Sequence, residues 1–157
     1  MARSGDNPGV IAPPPLLFLG ALALGLALDF GLFRTPTGLP RPARLGAAFV
    51  LASVAAGLLA GALRRFRRTG TAVEPWRPST ALVTEGVYRF TRNPIYLALA
   101  LLHLGSALAF DSAFALASLP FALAAVQAGV VAREERYLEG KFGDEYRRYK
   151  ASVRRWL

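Results

Sequence analysis

Cysteine is absent from this sequence of 157 residues, and histidine and methionine each occur once. Without cysteine the protein has no disulfide bond, thiolate metal site, haem attachment site or cysteine nucleophile. The lone histidine, His103, cannot form a zinc site by itself, because such sites use three or four protein ligands. The composition therefore leads us to expect no metal centre and no thiol chemistry.

Acidic residues are also scarce: 10 Asp and Glu stand against 19 Lys and Arg, for a formal net charge of +9. On a soluble domain this balance would indicate nucleic-acid binding if the basic side chains formed one face. They instead cluster at the ends of apolar runs, as at positions 64–68, where the sequence reads RRFRR. Because this distribution is typical of orientation signals in membrane proteins, we expect no nucleic-acid partner.

Apolar residues are abundant, at 54% of the chain with a mean hydropathy of +0.35. A membrane helix needs roughly 20 apolar residues, and four segments approach that length: 16–33, 45–63, 95–110 and 114–132. We therefore predict an all-α integral membrane protein, a single domain over residues 1–157, with about four transmembrane helices and a C-terminal cytoplasmic or interfacial helix. Pro120 is expected to kink the fourth helix, and Gly57 and Gly61 to allow close helix packing.

The distribution of Lys and Arg predicts the orientation of these helices. The N-terminus, the 64–94 loop and the 133–157 tail together carry sixteen of them, whereas the 34–44 connection carries three. Since cytoplasmic segments are enriched in Lys and Arg, both termini, the loop and the tail are predicted to be cytoplasmic. A cleaved signal peptide is the alternative interpretation of the first segment, but Asp29 and two phenylalanines follow its apolar core instead of a cleavage site.

Only residues 111–113 separate the third and fourth helices, which predicts an antiparallel hairpin. The other ends of these two helices must then meet. Arg92, Asn93 and Tyr96 stand at the start of the third helix, and Glu134 and Glu135 follow the fourth. We expect these five side chains to share one cavity, where Arg and Asn offer donors to an anionic or amide-bearing ligand.

The aromatic residues of this region have a simpler interpretation as well. Tyr88 and Tyr96 are also typical of the aromatic belts at membrane surfaces. Glu134 lies on the helical stripe of Gln127 and Val130, and this position favours a carboxylate that points into the helix bundle. A role in a functional site is therefore the preferred interpretation of the carboxylate.

Four sequence motifs in this order resemble the isoprenylcysteine carboxyl methyltransferase and phospholipid methyltransferase group of integral membrane enzymes. They are LVTEGVY at 82–88, RNPIY at 92–96, the EE pair at 134–135 and FGDEYRRY at 142–149. The resemblance covers residues 71–155, a little over half of the chain, and the first two helices resemble the group only in being apolar.

This resemblance implies a methyltransferase that uses S-adenosyl-L-methionine, held in a cytoplasmic pocket, with a lipophilic or membrane-anchored acceptor arriving from the bilayer lipids. By position, the residues implied to bind the cofactor are Thr80, Ala81, Leu82, Val83, Tyr88, Asn93, Pro94, Ile95, Tyr96 and Glu134. Arg92 and Glu135 are the candidate catalytic residues. Glu135 is the nearest candidate in sequence for the base that an amine or hydroxyl acceptor would need.

Two departures from the group narrow the expected substrate. The prenylcysteine enzymes have His where this chain has Asn93, and the RNPxY form is common among bacterial relatives, so we expect a bacterial cytoplasmic membrane protein. Those enzymes also place an Arg at the position of Val130, facing the substrate. Arg133 lies about 60° from that face of a regular helix. Carboxyl methylation of prenylated proteins is therefore disfavoured, and the acceptor atom stays open between oxygen, nitrogen and sulfur.

Two other functions are kept as alternatives. Membrane sterol and steroid reductases share a similar Arg-x-Pro-x-Tyr helix start but bind NADPH, and the glutamate pair favours the methyltransferase. A four-helix transporter subunit would use Asp29 or His103 as an intramembrane ionisable group. The simpler interpretation is that Asp29 reaches water near a helix end, and that His103 makes an interhelical hydrogen bond with Gln127 or Ser106.

Overall fold

The computed structural model describes residues 7–157, and every regular element in that range is helical. The helices are α1 (Pro14–Leu28), α2 (Arg41–Thr69), α3 (Pro94–Ala109), α4 (Ala113–Val126), α5 (Ala132–Phe142) and α6 (Asp144–Ser152). A π-helical turn at Asp29–Phe33 extends α1, another at Gln127–Val131 joins α4 to α5, and a 3₁₀ turn covers Gly86–Arg89. The predicted all-α class is confirmed.

Three continuous helices are long and apolar enough to cross a membrane. They are Pro14–Phe33, Arg41–Thr69 and Ala113–Phe142, in which an 18-residue stretch reaches a mean hydropathy of 2.2, 2.1 and 1.9, respectively. The third predicted span corresponds to α3, which has 16 residues and is therefore about 24 Å long. This helix is shorter than a hydrocarbon core of about 30 Å. Three of the four predicted spans thus have the required length.

Helix α2 is longer at both ends than the predicted segment 45–63. It begins at Arg41 and continues through the RRFRR run to Thr69, so the first residues of the predicted 64–94 loop are helical. Arginine is a good helix former, and the helix ends only where Gly70 adopts a left-handed conformation with φ of 65°. The end of α2 therefore carries Phe66 toward the loop that follows.

The predicted hairpin of α3 and α4 is confirmed. Asp111 makes the turn with φ of 55°, and the Ser112 side chain accepts a hydrogen bond from the Ala115 amide as the cap of α4. His103 Nε2 lies 3.0 Å from the Ala115 carbonyl and 3.2 Å from Ser118 Oγ. The predicted interhelical bond thus exists, but its expected partners were wrong, because the turn of α4 is nearer.

Small residues allow the helices to approach each other closely. A Cβ on Gly25 of α1 would lie 2.6 Å from Ala115 Cα in α4. A Cβ on Gly61 would lie 2.7 Å from Val87 Cγ1 in the loop, whereas a Cβ on Gly57 would meet no described atom within 4 Å. The prediction that Gly57 and Gly61 form one helix-packing pair was therefore wrong for the described part of the chain.

Asp29 is fully buried, which corrects the expectation that it reaches water. Its carboxylate accepts hydrogen bonds from the Ser112 hydroxyl and the Thr35 amide. The connection after α1 folds over this carboxylate, since Thr37 in turn donates through its amide and hydroxyl to Asp111. These two hydrogen bonds hold the pKa of Asp111 below its usual value. These hydrogen bonds hold the connection after α1 against the turn between α3 and α4.

The tail is helical as predicted, but it is not one helix. Gly143, with φ of 54° and ψ of −124°, separates α5 from α6. This break turns α6 back over the chain, so that Tyr146 and Tyr149 are buried against Tyr88 and Val83. The tail therefore folds back over the 82–88 segment.

Candidate functional site

A cavity lies where α3 begins and α5 follows α4, beneath the 72–83 segment and α6. The cavity is open at its mouth, and the space within it that is open to the centre of a water-sized sphere is about 120 Å³. Most of the wall is apolar or aromatic. Its charged lining residues are Glu74, Arg92, Glu134 and Glu135.

One carboxylate of the cavity is held by a tyrosine. Tyr96 Oη donates a hydrogen bond of 2.6 Å to Glu134 Oε1. Among the described residues, no Lys or Arg forms an ion pair with Glu134, so its charge is not compensated by a protein cation. A cavity with an uncompensated carboxylate is suited to a positively charged ligand group, because a buried charge without a partner is costly.

The second carboxylate belongs to a three-residue ion cluster. Arg92 Nη1 lies 3.0 Å from Glu135 Oε1, and Arg155 donates to both oxygens of Glu135 at 2.8 and 2.7 Å. The side chains of Arg92 and Glu135 are only 9% and 10% exposed. Two arginines against one carboxylate leave this end of the cavity with one positive charge.

Arg92 also keeps an unused donor. Its Nε is buried and has no hydrogen-bond partner in the described part of the chain. Buried donors are satisfied in the great majority of folded proteins, so a ligand acceptor is the natural partner for this one. The cavity therefore presents a cationic donor and a free carboxylate together.

Three tyrosines complete the polar wall. Arg92 Nη1 lies 3.5 Å from the Tyr146 hydroxyl, and Tyr149 Oη donates to the Tyr88 carbonyl at 2.7 Å. Burial raises the pKa of Tyr146 to about 12, and burial likewise raises the pKa values of Tyr88 and Tyr149. These phenols therefore stay protonated and act as hydrogen-bond donors at any physiological pH.

The cavity brings together ten of the twelve site residues inferred from the sequence. They are Ala81, Leu82, Val83, Tyr88, Arg92, Asn93, Ile95, Tyr96, Glu134 and Glu135. Thr80 is exposed and donates its amide to Thr71 Oγ1, and Pro94 is fully buried in the first turn of α3. Asn93 lines the cavity, but its side-chain amide already donates to the Arg155 carbonyl at 2.8 Å.

Several lining residues have no counterpart in the sequence analysis. Pro8, Phe66 and the 72–79 segment contribute wall, and Arg155 holds Glu135 from a region without a recognisable motif. Tyr146 and Tyr149 also line the cavity and are absent from the twelve site residues inferred from the sequence. Their spacing of three residues was the available signal, since it places both on one face of a helix.

The helix carrying Glu134 is distorted, but this does not bring Arg133 into the cavity. A π-helical turn covers Gln127–Val131, and such turns are frequent at functional sites. Val130 is fully buried in the core, and Arg133 Nη1 donates instead to the Gly9 carbonyl at 2.8 Å. Neither position therefore supplies a cation to the cavity.

Residues 43–145 match the family model described as phospholipid methyltransferase. This match includes the RNPIY motif at 92–96 and the EE pair at 134–135, and it covers well over half of the chain. The chain belongs to the phospholipid methyltransferase family. The resemblance found in the sequence is confirmed.

A second comparison concerns a short segment only. This phospholipid methyltransferase family member is similar to a protein of Haemophilus influenzae described as an uncharacterized protein, with 82% identity over 27 residues. The similar segment covers 17% of the chain and 43% of that relative, so it spans less than half of the relative's length. No solved structure matches the chain.

Proposed function

We propose that this protein is a membrane methyltransferase that uses S-adenosyl-L-methionine to methylate a lipophilic or membrane-anchored acceptor. The observation that carries the proposal is the cavity itself, which combines apolar walls with an uncompensated carboxylate at Glu134 and an unpaired donor at Arg92. A ligand matching it must carry a cationic group, an anionic group and a flat apolar part.

The residues present fit S-adenosyl-L-methionine by their chemistry. The Glu134 carboxylate suits the ammonium or the sulfonium, and the Arg92 Nε–H suits the carboxylate of the methionine end. The Tyr88 and Tyr146 rings give aromatic faces that attract a cation. Apolar side chains such as Leu82 and Val83 suit the adenine ring.

When bound, the cofactor supplies an electrophilic methyl group on its sulfonium. The chain's own contribution is to orient the two reactants and to exclude water from between them. Both oxygens of Glu135 are occupied by arginine donors, so we assign that residue to positioning. Glu134, which in the described part of the chain is bonded through Tyr96 alone, is the carboxylate that accepts a proton from an amine or hydroxyl acceptor.

The acceptor is proposed to be a membrane lipid or another lipophilic molecule that enters from the bilayer. Family membership and the apolar helices support this class of substrate. The core position of Val130 and the contact of Arg133 with Gly9 disfavour a prenylcysteine carboxylate, because neither residue offers it a cation. The excess of Lys and Arg supports a cytoplasmic site in a bacterial inner membrane.

The test is a calorimetric titration of the detergent-solubilised protein with S-adenosyl-L-methionine. We expect saturable binding that is weakened about tenfold or more by Glu134→Gln, since that change removes a charge-assisted contact. Glu145→Gln is the matched control, because this exposed carboxylate of α6 does not line the cavity. Absence of binding by the parent protein, or binding of NADPH in its place, would refute the proposed cofactor and favour the reductase alternative.

A further inference from the structure

Residues 153–156 form a segment that bonds both to the residues before α3 and to the helix that carries Glu135, and we call it the strap. Its backbone carbonyls accept three hydrogen bonds from residues 91–93, which directly precede α3. The Arg92 amide donates to the Arg154 carbonyl at 3.0 Å, and Thr91 Oγ1 and Asn93 Nδ2 donate to the Arg155 carbonyl at 3.2 and 2.8 Å. The strap thus fixes the RNPIY motif from outside the helix bundle.

The side chains of the strap reach the other half of the site. Arg155 donates to both oxygens of Glu135, and Trp156 Nε1 donates to Gln127 Oε1 at 3.1 Å. The strap therefore joins the two motifs that build the cavity, although it lies outside the region 43–145 that matches the family. Nothing in the family match assigns it a role.

We propose that Arg155 is a positioning residue that keeps the Arg92 Nε–H free to bind an anionic oxygen group of a ligand. This inference rests on the proposed function. Arg155 occupies Glu135 with a two-point contact, so Arg92 reaches only one oxygen and does so through Nη1. The Nε–H of Arg92 is left without a partner among residues 7–157.

The consequence of losing Arg155 follows from the geometry of arginine and carboxylate. A free carboxylate prefers a two-point contact with a guanidinium. Without Arg155, Glu135 is free to turn to the edge of Arg92 formed by Nε and Nη2, the same edge that Arg155 now offers it, and this contact removes the free donor. The cluster would also fall from one net positive charge to none, and both changes weaken binding of an anion.

The anionic group has two chemical sources, the carboxylate of the cofactor and the phosphate of a lipid acceptor. The parent and Arg155→Met proteins are titrated with S-adenosyl-L-methionine, its decarboxylated analogue and a short-chain phosphatidic acid. We expect Arg155→Met to lower the affinity for one of the two anionic probes roughly tenfold and to leave the affinity for the decarboxylated analogue unchanged. A loss of affinity for the cofactor identifies its carboxylate as the bound group. A loss of affinity for phosphatidic acid identifies a lipid phosphate as that group. Either result supports the positioning role.

Two further variants separate positioning from a structural role. In an Arg92→Lys background, Arg155→Met is expected to cause no additional loss, because the Nε–H is already missing. Arg155→Lys keeps the charge but not the two-point contact, so it lowers the affinity for the same anionic probe by a smaller factor. This variant tests the proposal even if Arg155→Met does not fold. Arg148→Ala removes an exposed charge from α6 and serves as the control.

The proposal is overturned if Arg155→Met and Arg155→Lys bind both anionic probes as the parent does. It is equally overturned if the decarboxylated analogue loses affinity to the same extent, or if the loss persists in the Arg92→Lys background. A parent protein that does not bind S-adenosyl-L-methionine at all contradicts the proposed function instead, so the two failures are distinguishable.

Discussion

At the scale of single residues, the site separates two neighbouring glutamates into different tasks. Glu135 has both oxygens engaged by Arg92 and Arg155, whereas within the described range 7–157 the partner of Glu134 is Tyr96 alone. Adjacent residues on a helix point about 100° apart, so they meet different neighbours. One carboxylate is consequently fixed in an ion cluster, and the other is left for a ligand.

The hydrogen bond between Tyr96 and Glu134 gives a prediction at this scale. Tyr96→Phe should lower the free energy of unfolding by about 1–3 kcal/mol, because it leaves a carboxylate in the cavity without its donor. Glu134→Gln added to Tyr96→Phe should recover part of the loss, since a neutral amide is cheaper to leave unpaired than a charge. Thermal unfolding in detergent measures both. Equal stability of Tyr96→Phe and the parent would show that the bond contributes nothing.

At the scale of helices, two irregularities shape the site. The π-helical turn at Gln127–Val131 leaves the Gly129 carbonyl to accept a hydrogen bond from the Ile11 amide at 3.2 Å. The break at Gly143 turns α6 back so that its tyrosines wall the cavity. Both places bring in a distant part of the chain, namely the segment before α1 and the tail.

Close packing of α1 on α4 gives a matched pair of substitutions. Gly25→Ala puts a Cβ 2.6 Å from Ala115 Cα, whereas a Cβ on Gly20 of the same helix meets no described atom within 4 Å. We expect Gly25→Ala to destabilise the protein by about 1–3 kcal/mol through overpacking. Gly20→Ala should be neutral or stabilise it by up to about 1 kcal/mol through helix propensity. Thermal unfolding of the two variants measures both effects, and similar shifts of the unfolding temperature in both would contradict this packing.

At the scale of the whole molecule, polar contacts are concentrated at the two ends of the bundle. One end holds the cavity with its ion cluster, and the other holds Asp29 and Asp111 with their hydroxyl and amide donors. Neither Asp29 nor His103 lies on the cavity wall. This arrangement favours a site at one surface over a transport path through the helices.

The absence of cysteine makes orientation directly testable. Single cysteines placed by Glu145→Cys and Leu39→Cys lie on exposed residues at opposite ends of the bundle. A membrane-impermeant maleimide should label Glu145→Cys only in inside-out vesicles and Leu39→Cys only in right-side-out vesicles, because Lys and Arg accumulate on the cytoplasmic side. The opposite labelling pattern would place the site outside the cytoplasm.

The sequence by itself determined the helical class, the α3–α4 hairpin and the meeting of Arg92 with Glu135. These follow from local rules, since apolar runs form helices and a turn of three residues forces neighbouring helices to be antiparallel. The family resemblance was also readable, because its motifs are contiguous stretches of sequence.

Only the tertiary structure decided which partners close the site. Arg155, Trp156 and the Gly9 carbonyl reach the glutamate-bearing helix from distant segments, and the burial of Asp29 depends on a loop that folds over it. No periodicity or spacing encodes such contacts, because they arise from packing between segments far apart in the chain. The division of tasks between Glu134 and Glu135 is one result, since identical side chains differ only in what the fold places beside them.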